Sequence, residues 1–121
     1  MNHVILFYEL NNLNELNEIY DHFYSINYPY KEMKIITSED YIYLPNTILK
    51  SQLTDIELNE EDYFSFIDFN FDFDFINDAL LHFKYIDKNI GIREEINHKF
   101  TFTKTVNIKN AIFHSSNYHR V

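Results

Sequence analysis

Asp68-Phe69-Asn70-Phe71-Asp72-Phe73-Asp74-Phe75 alternates an aromatic with an acidic or amide side chain over eight residues. Period two is the spacing at which a β-strand sends successive side chains to opposite faces. A strand over residues 66–75 would turn Phe69, Phe71, Phe73 and Phe75 to a core and Asp68, Asn70, Asp72 and Asp74 to the other side. A helix competes for the same residues. Phe66, Phe69, Phe73, Ile76, Leu80 and Phe83 recur at steps of three and four, and Asn59 with Glu60, Glu61 and Asp62 would start such a helix well. Wound that way, however, Phe64, Ile67, Phe71 and Phe75 would form a second apolar stripe on a helix built from mediocre or poor helix formers. The strand is the preferred reading and the helix its competitor.

Upstream, the continuously apolar Val4-Ile5-Leu6-Phe7-Tyr8 has the pattern of a central strand covered on both faces. Asn12 with Glu15 has the form of a capping box, and Leu13, Leu16, Tyr20 and Phe23 then predict an amphipathic helix to about Ile26. Pro29 breaks it. Residues 33–37 and 41–44 read as a hairpin across Ser38-Glu39-Asp40, closed by Pro45, and residues 46–59 as loop with a short helix at Ile48 to Leu53. Downstream, residues 77–88 read as a helix capped by Asn77 or Asp74, with Gly91 at its terminator position. Residues 99–108 alternate again, residues 107–110 can turn, Ala111-Ile112-Phe113 can form a last strand, and residues 115–121 read as a mobile polar tail. This order predicts a single α+β domain: a mostly antiparallel sheet of about five to six strands with two main helices packed on one face.

A chain of 121 residues with 45% apolar content and 22 Phe and Tyr can bury a core without disulfides, and it has no cysteine. That absence also removes thiol nucleophiles and Cys-type zinc sites, and suggests a reducing, cytoplasmic location. No apolar run approaches the roughly 20 residues of a membrane helix. Met1 leads into no signal-like pattern and is read as the start of the mature fold. Nineteen acids against ten Lys and Arg give a net charge of −9, which disfavours nucleic acid or anionic membrane as direct partners. The charge is also unevenly spread. Residues 51–83 hold nine acids and no Lys or Arg, whereas no acid follows Glu95.

One glycine excludes Gly-rich phosphate loops. The six histidines form no HxH, HExxH or HxxE pattern, so no metal and no cofactor are expected. Asp68, Asp72 and Asp74 lack the glycine and glutamate of a calcium loop. What remains is an acidic face of Glu60, Glu61, Asp62, Asp68, Asp72 and Asp74, which either is simply solvated or receives a basic protein. The expected function is a non-catalytic binding protein that neutralises a basic partner, such as an immunity protein against a bacterial toxin or nuclease. One alternative is a viral nucleic-acid mimic that inhibits a host defence nuclease. Another is a small nuclease using His114 and His119.

Overall fold

The computed structural model describes residues 2–38, 41, 43–72, 74–95 and 99–121. Glu39, Asp40, Ile42, Phe73 and His98, which enter the readings above, lie outside them. The strands are β1 (Val4–Glu9), β2 (Lys31–Thr37), β3 (Thr47–Leu49), β4 (Tyr63–Phe66), β5 (Gly91–Glu95), β6 (Lys99–Thr103) and β7 (Ala111–His114). The helices are α1 (Leu16–Ser25) and α2 (Phe75–His82), with 3-10 helices at Leu13–Glu15, Lys50–Asp55 and Ser115–Arg120. All strands join one sheet in the order β3-β2-β1-β4-β7-β5-β6.

β1 is central because its side chains are apolar on both faces, and Val4 to Tyr8 are all buried. Val4, Leu6 and Tyr8 pack into one core with Ile19 and Phe23 of α1 and with Phe75, Ile76 and Ala79 of α2. Ile5 and Phe7 enter a second core, completed by Phe64, Phe66, Phe113 and Tyr118. Both α-helices therefore contribute to the same core. The other face is covered by shorter pieces, among them Leu53, Ile56, Leu58, Val106 and Ile108.

The sheet is mixed rather than mostly antiparallel, and it has seven strands. β1 pairs parallel with both β2 and β4, and β2 parallel with β3. Only the β4, β7, β5, β6 half is antiparallel. The next described strand after β2 is Thr47–Leu49; Glu39, Asp40 and Ile42 of the expected hairpin lie outside the described residues, and Tyr41, Tyr43 and Leu44 are in no strand. Asn46 takes a positive φ of 59°, its carbonyl accepts from Ile35 N at 2.8 Å, and Thr47 then enters alongside Ile35 in the same direction. Asparagine tolerates that left-handed conformation better than most residues.

Between β4 and α2, the described residues 67–72 and 74 form neither the expected strand nor the heptad helix. β4 ends at Phe66; a four-residue turn at Asp68–Phe71 follows, and then a backbone bond from Phe75, the first residue of α2, back to Asp72. In the turn, the Asp68 carboxylate accepts Asn70 N at 2.8 Å and its carbonyl accepts Phe71 N at 3.2 Å. Asp72 repeats both bonds, to Asp74 N at 2.8 Å and Phe75 N at 3.3 Å. An aspartate that bonds its own backbone two residues on offers the chain a turn in place of a sheet ladder. The working period is thus four: Phe71 and Phe75 make these backbone bonds and are 1% and 2% exposed, whereas Phe69 is 42% exposed.

Other boundaries shift for local reasons. Asn12 caps by accepting Asn14 N at 3.0 Å, but the expected partner Glu15 instead receives the Tyr8 hydroxyl, so a 3-10 turn precedes α1. α2 occupies residues 75–82 rather than 77–88. Gly91 opens β5 rather than ending a helix, and β5 itself was not expected. Ser115–Arg120, read as a mobile tail, is a 3-10 helix with Asn117 and Tyr118 buried. Tyr118 donates to Leu53 O at 2.5 Å and Arg120 to Lys104 O at 2.9 Å.

Candidate functional site: an acidic groove at one end of the sheet

The carboxyl end of β4, the start of α2, the carboxyl end of β5 and the start of β7 meet at one end of the sheet, because β7 runs antiparallel to both β4 and β5. Two clefts open there, of about 120 and 240 Å³, and share Asp72, Phe75 and Glu94 in their walls. They form one groove over the buried ring of Phe75. Asp68 stands at its inner end with Arg93 and Asn110, and Asp74, Asp78 and Phe100 line its outer end.

Each carboxylate is placed by a local feature. Asp68 and Asp72 each accept the backbone amide two residues on. Asp68 is further held by Asn110, whose amide donates to its carboxylate at 2.7 Å while the Asn110 side-chain oxygen accepts Asp68 N at 2.9 Å. Asn110 itself has φ 64°. Asp74 precedes the first turn of α2 and Asp78 lies in it, where negative charge is favoured by the helix dipole. Among the described residues, the ion pairs are His3 with Glu32, Lys34 with Glu32, and Lys50 with Glu9. None involves Asp68, Asp72, Asp74 or Asp78.

The six acids expected from the sequence are not one surface. Asp72 and Asp74 share a cleft wall with Asp68 close by, but Glu60, Glu61 and Asp62 precede the opposite end of β4, a strand that spans about 13 Å at about 3.3 Å per residue. Asp62 is buried, its carboxylate accepting Asn59 N at 3.3 Å and its carbonyl Ser115 N at 2.8 Å, so it shapes a turn rather than a surface. Glu60 and Glu61 are exposed. Asp78 is the groove member that sequence reasoning could have added, four residues after Asp74 on a helix. Glu94, Arg93 and Asn110 arrive through sheet register, and nothing in the local sequence marks them.

A different cleft, about 270 Å³, opens at the far end among Asn2, Glu61, Tyr63, Phe83, Lys88 and His114. His114 lines this cleft, and His119 is not among its lining residues. Burial holds the His114 pKa below its usual value, nearby Lys88 adds to the effect, and a backbone hydrogen bond at Glu60 opposes it. Its Nδ1 accepts Ser116 N at 3.2 Å, capping the final 3-10 helix. His119 bonds the Ser116 carbonyl at 2.7 Å. Both imidazoles are thus engaged with the backbone of the same short helix. No cluster of three or more metal-ligating side chains occurs among the described residues. No helix among them is long and apolar enough to cross a membrane. Comparison with protein-family models, with curated proteins and with solved structures gives no match.

Proposed function

We propose that this protein is a non-catalytic acidic binding protein that neutralises a basic protein partner, most simply an immunity protein that blocks a bacterial toxin or nuclease. The observation that carries the proposal is the groove itself. Asp68, Asp72, Asp74 and Asp78 line two adjoining clefts that share Asp72, Phe75 and Glu94, and none of the four has an ion-pair partner among the described residues. Such a surface steers a cationic partner during encounter and raises the association rate, while like charges across an interface reject unsuited partners. The backbone bonds made by Asp68 and Asp72 pre-organise these two carboxylates, so less ordering is left for the moment of binding. The engagement of His114 and His119 with the helix they flank supports a structural role for both over an acid/base role.

The test is to ask whether a toxin or nuclease domain is encoded beside this protein's gene, to measure binding to it, and to follow that by stopped-flow mixing at several salt concentrations. Association should slow as salt rises, because the Debye length is about 8 Å near physiological ionic strength. Replacing Asp72, Asp74 and Asp78 together by Lys should slow it on the order of a hundredfold. A triple variant that associates as fast as the parent at low salt would sink the proposal.

A further inference from the structure

The sheet ends differently at its two edges. β3 is three residues long and leads directly into the 3-10 helix Lys50–Asp55, so it offers little backbone. β6 is five residues, Lys99-Phe100-Thr101-Phe102-Thr103, and no described strand pairs with its outer side. Alternate residues of an edge strand turn their N–H and C=O groups outward, which makes a template for an added strand. Phe100 and Phe102 lie opposite Glu94 and Ile92 of β5 and so share the helix-bearing face. Phe102 is 53% exposed, a large apolar side chain left uncovered beside that open edge. Phe100 packs against Phe75 and His82 of α2, and it also walls the acidic groove together with Asp72, Asp74 and Asp78. The open edge and the groove are therefore continuous.

We infer that β6 is the docking edge for an extended, Lys- or Arg-bearing segment of the partner, which adds an eighth strand to the sheet. This rests on the acidic-binding reading and names how the partner is held. Backbone bonds along residues 99–103 supply affinity that does not depend on sequence, and alternate side chains supply specificity. On the helix-bearing face, a cation beside Phe100 reaches the carboxylates of the groove, and an apolar or aromatic neighbour covers Phe102. A second copy of this chain is the poorer occupant, because joining two β6 edges would bring together two molecules of net charge −9 with their acidic grooves at the seam. Lys99 shares the parity of Thr101 and Thr103 and so lies on the face opposite Phe100 and the groove, where the added segment carries its uncharged side chains.

The probe is a synthetic peptide of about six residues alternating Lys with Thr or Val, the length of one ordinary strand. Its control has the same charge but a central proline, which cannot donate to a sheet ladder. The alternating peptide should bind, slow hydrogen exchange at the outward amides of residues 99–103, and bind at least about tenfold more tightly than the control. Equal binding of both peptides, abolished by replacing Asp72, Asp74 and Asp78 with Lys, overturns strand addition and leaves the acidic groove standing. Binding by neither peptide overturns both. Protection of β6 that rises with protein concentration, without peptide, overturns the basic occupant in favour of a second copy.

Discussion

Gly91 is the only glycine in the chain, and its φ is not positive, so its role is set by space rather than by backbone conformation. It stands next to Phe113 across the β5–β7 pair, and that ring lies over the missing side chain. A Cβ at Gly91 would sit 2.4 Å from Phe113 Cζ and 2.6 Å from each Cε. Ordinary contact begins near 3.4 Å, so the ring has to retreat by about 1 Å. It has nowhere to go, being fully buried and stacked on Phe64 at 6.0 Å. Overpacking of this kind costs about 1–3 kcal/mol, and a 1 Å overlap with a fixed ring belongs in the upper part of that range. The smaller entropy of an unfolded chain bearing alanine offsets about 0.4–1 kcal/mol. Gly91→Ala should therefore lose about 2 kcal/mol. With an unfolding entropy of roughly 2 cal/mol/K per residue, that is a fall in Tm of about 8 °C for a chain of this length. Urea denaturation of Gly91→Ala, Phe113→Leu and the double variant is the assay. Trimming the ring should relieve the clash, so the double variant should be about 1–2 kcal/mol more stable than the sum of the singles predicts. Additive effects, or a Gly91→Ala variant as stable as the parent, would refute the reasoning.

Ser65 Oγ is wholly buried with no hydrogen-bond partner among the described residues, so Ser65→Ala should leave stability unchanged or raise it by up to about 1–2 kcal/mol, read as a higher urea midpoint at constant m. Asp68→Ala removes the acceptor for both Asn70 N and the Asn110 amide and should cost about 1–3 kcal/mol; Asn110→Ala should couple strongly to it in a double-mutant cycle, whereas independent effects would separate the turn from β7. Burial pushes the Tyr118 phenol up to about 12 from an ordinary value of 10.0. The folded state thus holds the proton more tightly, so its contribution to stability is complete below pH 10.0 and is lost as pH rises towards 12. Tyr118→Phe should remove that alkaline loss while costing about 1 kcal/mol at neutral pH through the bond to Leu53, as measured by thermal unfolding across pH. His114, with its pKa lowered chiefly by burial, should make stability fall as pH drops below the ordinary histidine range, and replacing it by Asn should flatten that slope in the same experiment.

The sequence by itself determined the elements whose signal is carried by one stretch of chain. Residues 4–8 are apolar on both parities, and such a run can only be central to a sheet, as β1 is. The stripe of Leu16, Tyr20 and Phe23 marked α1, and Ala111-Ile112-Phe113 marked β7. The excess of acid in residues 51–83 was equally plain, but the clefts that Asp68, Asp72 and Asp74 line are a product of the fold. Around Asp68 and Asp72 the alternation of Phe with Asp satisfies two geometries at once. A ladder needs neighbours on which to close its backbone bonds, whereas an aspartate can close a turn on its own backbone, and Asp68 and Asp72 both do so. Only the tertiary structure decided the direction of β3, which depends on one positive φ at Asn46, and the insertion of β7 between β4 and β5. That insertion carries Arg93, Glu94 and Asn110 to Asp68 and Asp72, and it leaves β6 as an edge with no further strand among the described residues. Residues so distant in the chain meet through register alone, and register is a property of paired strands that no single segment encodes.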